Sequence, residues 1–297
     1  MWATLRLERY SLEGIVWGWV LLSTINLNAW QPYFWQFWLI IIFYLLSKKH
    51  FITLLLIGQA GFYIWSGLHK LNPFFVSDLT YLLESKMEGG TMQSLSVGVI
   101  PILPWLEIAA GSMILWKKTR TIGLLITAGL HVGIAVLMSP ILLDFNHIIV
   151  PWNLVLAALS LLLIGERIAI SRKSLLPVFV VLGALWIFPI FNAYTGRLSY
   201  FSANLYSGRT FHAEIILSEP GSCNLITHEL DPEYPKSSAN LQREFILYNG
   251  VAALPEPAYY EHIFQEVYCK RCGQHTVRLL ITRRDWDGEE SYYIYCE

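Results

Sequence analysis

The sequence predicts an all-α polytopic membrane bundle of about seven transmembrane helices, followed by a small, mostly β extracytoplasmic domain. Three observations carry this. Seven long apolar runs fill the first two-thirds of the chain, and basic residues fall on alternate connections between them. After about residue 195 the composition turns polar, rich in Gly, Pro, Ser and alternating β-formers, and all four cysteines lie there.

The runs are Leu12–Ile25, Phe34–Leu46, Ile52–Gly67, Ile100–Trp116, Ile122–Leu142, Ile148–Ile164 and Leu175–Phe191. A bilayer core takes about 20 apolar helical residues, so the first two runs are marginal and the other five adequate. Asn26-Leu27-Asn28 and then Pro32 read as a short exposed turn, which leaves two spans or a re-entrant pair open. The first run is not followed by a small-residue cleavage site and is expected to be an anchor rather than a removable signal.

Orientation follows from charge. Arg6 and Arg9 precede the first run, Lys48-Lys49 follow the second, Lys117-Lys118 and Arg120 the fourth, and Arg167, Arg172 and Lys173 the sixth. Every second connection is basic, which places the N-terminus in the cytoplasm and everything after Phe191 outside. The expected location is a bacterial inner membrane. The chain is 55% hydrophobic with a formal net charge of -1, so it carries no nucleic-acid footprint. Membrane lipid and an extracytoplasmic protein are the partners to expect.

The boundary between the helical domain (1–195) and the outer domain (196–297) is a change of composition. Strand-like segments are Thr210–Leu217, Glu244–Leu247, Ile263–Tyr268, Val277–Thr282 and Tyr292–Tyr295, broken at Pro220-Gly221, Pro232, Pro235, Asn249-Gly250 and Asp287-Gly288. Cys223, Cys269, Cys272 and Cys296 are an even set in an extracytoplasmic domain and point to disulfides. A zinc knuckle at Cys269-Lys270-Arg271-Cys272, or a redox pair there, stays open. The strand-like residues that follow make this C-x-x-C read as the turn of a hairpin.

Ionisable groups inside a membrane are expensive and ask for a partner or a function. Glu107 lies about two turns below the outer end of the fourth run, His131 near the middle of the fifth, and Gln59 in the middle of the third. Lys70, beside His69, ends the third run, and Asn72 follows. Asp144, Asn146 and His147, then Trp152-Asn153, lie at the outer side of the sixth. Together they suggest a cavity open to the outer face. Lys70, Glu107 and His131 would be its catalytic groups, and His69, Asn72, His147 and Asn153 its lining. Glu107 is expected to bond His131 or Lys70: if it holds His131, the imidazole becomes an oriented proton acceptor, and if Lys70 loses its proton, it becomes an amine base. Each has a plainer reading: His131 as an interhelical hydrogen-bonding residue, Lys70 as a snorkelling cation, and Trp65, Trp105 and Trp152 as an aromatic belt.

Tyr63-Ile64-Trp65-Ser66-Gly67-Leu68-His69-Lys70-Leu71-Asn72-Pro73, followed by Pro104-Trp105-Leu106-Glu107-Ile108-Ala109-Ala110-Gly111, resembles two membrane families. One is the DoxX/MauE-like group, with a G-x-x-K-L near a span end and a P-x-x-E-x-x-x-G opening the next. The other is the HTTM family, which includes the vitamin-K-dependent γ-glutamyl carboxylases. To the latter are also similar Arg120-Thr121-Ile122-Gly123, Leu130-His131, and Leu205-Tyr206-Ser207-Gly208-Arg209-Thr210-Phe211-His212. The HTTM resemblance implies a quinone as cofactor or substrate, with Lys70 as the base. His69 stands in place of that family's first lysine, and Lys70 alone is carried over. The MauE resemblance implies a role in maturation of disulfide-containing periplasmic proteins. Two functions follow: an assembly or maturation factor for an extracytoplasmic partner, or a membrane enzyme acting on a quinone-like or lipidic substrate.

Overall fold

A computed structural model describes residues 2–25, 31–84, 98–143, 148–169, 175–197, 199–204, 207–218, 238–242, 244–245, 253–272, 276–285 and 288–297. Each apolar run folds as a helix. In chain order these are α1 (Trp2–Ile25), α2 (Pro32–Leu46), α3 (Phe51–Lys70), α4 (Pro73–Glu84), α5 (Leu103–Leu115), α6 (Arg120–Met138), α7 (Ile149–Leu162) and α8 (Leu175–Thr195). Helix α4 lies in a connection that the sequence reading left without structure. Asn72 starts it, because its Oδ1 accepts the Phe75 amide at 3.1 Å.

Seven helices form where seven spans are expected, but length divides them. Among the described residues, two stretches, Lys48–Lys70 and Arg120–Met138, are long and apolar enough to cross a membrane. Helix α5 has 13 residues and rises about 20 Å, short of the roughly 30 Å hydrocarbon core. Helices α2 and α7, of 15 and 14 residues, are likewise short. Seven full spans are therefore an expectation that helix length alone does not meet.

Helix α3 is the hub and packs most closely on α5. Gly67 faces the Pro104 carbonyl and Gly111 faces the Ala60 carbonyl; a Cβ at either would sit 2.4 or 2.7 Å from that oxygen. These reciprocal notches bring the backbones together and set Lys70 opposite Glu107. The two ends of the bundle differ. At one, Thr53 bonds the Ala169 amide at 3.0 Å and Arg120 reaches the Glu166 carbonyl at 3.0 Å, which gathers the basic connections. At the other, Asn72 donates to the Ser207 carbonyl at 2.8 Å and Arg284 holds both Asp78 oxygens at 2.9 Å. The C-terminal domain sits on that second end.

The domain is a four-stranded antiparallel sheet of β1 (Phe211–Leu217), β2 (Ser238–Asn240), β3 (Val277–Asp285) and β4 (Gly288–Tyr295), in the order β2-β1-β3-β4. Alternate residues of β1 are buried, so Ala213 and Ile215 join Leu279 and Ile281 in the core. The segment Ile263–Tyr268, expected as a strand, is helical instead. Helix α9 (Pro257–Ile263), with Pro257 in its first turn, continues through a π-helical turn (Phe264–Cys269) and a last short turn, α10 (Lys270–Cys272). Tyr259, Tyr260, Ile263, Phe264 and Tyr268 follow a helical period and cover the sheet with apolar surface. The C-x-x-C therefore ends a helix and is not a hairpin turn. Glu244 and Phe245 are helical too, against the strand expected there; the remainder of that segment lies outside the described residues.

Cys269 is bonded to Cys296, Cys272 is also disulfide-bonded, and none of the described cysteines is free. Cys223 lies outside the described residues. The disulfide ties the helical segment to the residue that follows β4 and closes the sheet's free edge strand onto the core.

Candidate functional site at the C-terminal end of α3

Gln59, Tyr63, Ser66 and Lys70 recur at intervals of four, three and four residues, so they share one face of α3. That stripe rises about 17 Å from the bundle interior to the end that carries the C-terminal domain. Each member meets a polar group on a neighbouring helix or on α3 itself, and the contacts fall into two clusters.

The upper cluster is ionic. Lys70 Nζ lies 2.6 and 2.8 Å from the two Glu107 oxygens and donates to Ser66 Oγ at 2.8 Å. Both charged side chains are nearly buried, at 12% and 11% exposure. Three acceptors take the three ammonium hydrogens. Lys70 thus sits slightly inside the surface, paired, rather than free at it. A pocket of about 350 Å³ opens beside it, lined by Lys70, Leu71, Asn72, Pro73, Val76, Pro101 and Pro104.

The lower cluster is a chain of hydrogen bonds. Asn153 Nδ2 donates to the Ile149 carbonyl at 2.8 Å, which turns its Oδ1 toward His131 Nδ1, 2.6 Å away. An amide oxygen only accepts, so Nδ1 is the donor. His131 Nε2 meets the Tyr63 hydroxyl at 2.5 Å, and Gln59 donates to both Tyr63 and Ser160, at 3.4 and 2.6 Å. Both His131 nitrogens are thereby used without Glu107. Of the two partners expected for Glu107, Lys70 is the one it meets, and His131 bonds Tyr63 and Asn153 instead.

The expected lining residues separate in the same way. His69 is buried at 1% exposure and turns from Lys70 toward Trp65, ring centroids 5.7 Å apart. A helix turns 100° per residue, so adjacent residues cannot share a face. Asn72 borders the pocket, yet both its amide hydrogens go to backbone carbonyls, of His69 and Ser207. It is a structural joint. Asn153 belongs to the lower cluster rather than to the pocket, and His147, with Asp144 and Asn146, lies outside the described residues. Of the expected belt, Trp105 is exposed, while Trp152 turns inward to bond Gln36 at 2.9 Å. Tyr63, Ser66 and Ser160 were not expected as members; the spacing of 59, 63, 66 and 70 was the available signal for the first two.

The C-terminal domain is fastened beside this site by polar bonds. Besides Asn72–Ser207, Arg209 donates to the Ala193 carbonyl at 3.2 Å, and Asn204 bonds Asn192 at 2.7 Å and also Ser207. Gly208 has φ 77° and lies so near Phe74 that a Cβ would be 2.6 Å from its carbonyl carbon. Burial raises the Asp78 carboxyl above its ordinary value, against the pull of Arg284. Burial, with Arg284 close by, lowers the His212 imidazole to about 4.

No curated protein and no solved structure matches the chain. Residues 48–148, which hold α3 to α6 and with them Lys70, Glu107 and His131, match the family model of methylamine utilisation protein MauE, a polytopic membrane-protein family.

Proposed function

We propose that this protein is a multi-span membrane assembly or maturation factor whose C-terminal domain engages an extracytoplasmic protein. The observation that carries the reading is the fastening of a disulfide-closed β-domain to one end of the bundle through Asn72–Ser207, Arg209–Ala193 and Arg284–Asp78. Such a domain is a rigid platform, and rigidity lowers the entropic cost of docking. The match to the MauE family over residues 48–148 supports the same reading. The state of Lys70 also weighs in its favour. Its nitrogen is already engaged by Ser66 and both Glu107 oxygens, and none of these three contacts is directed at a substrate.

The test is a gene deletion followed by measurement of the abundance and disulfide state of extracytoplasmic proteins. One or a few should be lost or left reduced, and should cross-link to a photoreactive residue placed at exposed Tyr293. An unchanged extracytoplasmic proteome in the deletion strain would defeat the proposal. A second reading, a membrane enzyme acting on a quinone-like or lipidic substrate, is favoured by the pocket beside Lys70. Under it, Lys70→Ala and Glu107→Gln should each abolish function while leaving membrane insertion intact.

A further inference from the structure

The geometry points to the pocket beside Lys70 as a binding site for a neutral amphiphile with a hydroxyl head. This deepens the lipidic reading just given and rests on its placement of the pocket. The walls are Leu71, Pro73, Val76, Pro101 and Pro104, all apolar. Asn72 also borders the space, but its amide hydrogens and its oxygen are already bonded to backbone. Among the described residues, the polar ground that remains is Lys70, with Glu107 one turn behind Pro104. A volume of about 350 Å³ holds about a dozen groups of water size, which suits a chain of about ten carbons and its head.

Charge selects the head group. An anion could bind only by taking Lys70 from Glu107, which would strand a nearly buried carboxylate; a cation would strand Lys70 in the same way. A hydroxyl exchanges evenly. It accepts one N–H from Lys70 in place of one Glu107 oxygen, and donates its own hydrogen to the oxygen it has displaced. Both charges stay paired and no buried donor or acceptor is left over. A carbonyl only accepts, and so returns nothing to Glu107. The ion pair thus works as a filter that rejects both signs of charge, by the cost it imposes on the wrong ligand.

Purified full-length protein in nanodiscs can be titrated with decanol, decanoate and decylamine near neutral pH, reading affinity from the ligand-dependent rise in melting temperature. Decanol should bind about tenfold or more tightly than either charged analogue. Glu107→Gln should raise decanoate about tenfold relative to decanol, because the competing carboxylate is gone. Lys70→Met/Glu107→Leu replaces the pair by apolar groups of similar volume and guards against misfolding as the explanation; it should weaken decanol about tenfold, because no donor or acceptor for the hydroxyl remains. Equal or tighter binding of a charged analogue to the parent protein, unchanged selectivity in Glu107→Gln, or no saturable binding of any of the three would overturn the assignment. No partner protein enters the titration, so its failure leaves the docking proposal to be decided by the deletion strain.

Discussion

Lys70–Glu107 and Tyr63–His131–Asn153 hang from the same face of α3, yet one is an ion pair bordering a pocket and the other a sealed chain of hydrogen bonds. In the lower cluster the donors are spent between helices and within α7, where the chain ends on the backbone carbonyls of Ile149 and Leu156; the Gln59 oxygen is its one buried acceptor without a partner among the described residues. That is how interhelical glue is built: each donor is spent, and none of these groups lines the pocket beside Lys70. In the upper cluster a charged group lies against open space, where a ligand can compete for it. Ionisable residues in a membrane bundle are therefore not equivalent evidence of function. Access to a cavity separates the two clusters better than depth does.

The comparison can be broken most forcefully at the ion pair. Lys70→Met alone leaves Glu107 nearly buried without its cation and should cost about 3–5 kcal/mol in thermal or denaturant unfolding. Adding Glu107→Leu should recover most of that loss. If Lys70→Met alone is silent, the pair is more hydrated than its exposure indicates.

The C-terminal domain offers a contrast through pH. His212 falls from 6.5 to about 4 on folding, so the unfolded chain binds the extra proton between those values. Stability from this group is complete above about pH 6.5 and is lost as pH drops toward 4, on the order of 3 kcal/mol. His212→Gln should flatten that part of the domain's stability-against-pH curve; an unaltered curve would place the acid sensitivity in other groups.

Smaller effects are expected in the lower cluster. His131→Leu leaves the Asn153 oxygen and the Tyr63 hydroxyl without their partner and should cost about 2 kcal/mol. Tyr63→Phe removes one hydroxyl and should cost about 1 kcal/mol. Neither should alter decanol binding. A loss of binding in Tyr63→Phe would join the two clusters into one site.

Long apolar runs made the helices legible, because burial in lipid or protein imposes them directly on the chain. The strands β1, β3 and β4 were legible for the same reason: β-branched and aromatic residues cluster there. Helix α9 and its π-helical turn were misread because Ile263–Tyr268, taken alone, is a short apolar run that suits either state. Pro257 and the spacing of Tyr259, Tyr260, Ile263 and Phe264 held the better signal. At the site, the sequence marked Lys70, Glu107 and His131 by cost alone. Which of them pair depends on the rotation of each helix, and that is set by notches such as Gly67 against Pro104. Hence the sequence reading left Glu107 with either His131 or Lys70 as its partner, and the structure pairs it with Lys70.

Outer-leaflet access to the pocket, protein docking on the β-domain and persistence of its disulfides all require one sidedness. Single cysteines introduced at Lys118, Thr80 and Asn240 test it with a membrane-impermeant thiol reagent in intact cells. Positions 80 and 240 should label at once, and position 118 only after permeabilisation. Labelling of position 240 from the cytoplasmic side alone would contradict the arrangement and every functional proposal built on it.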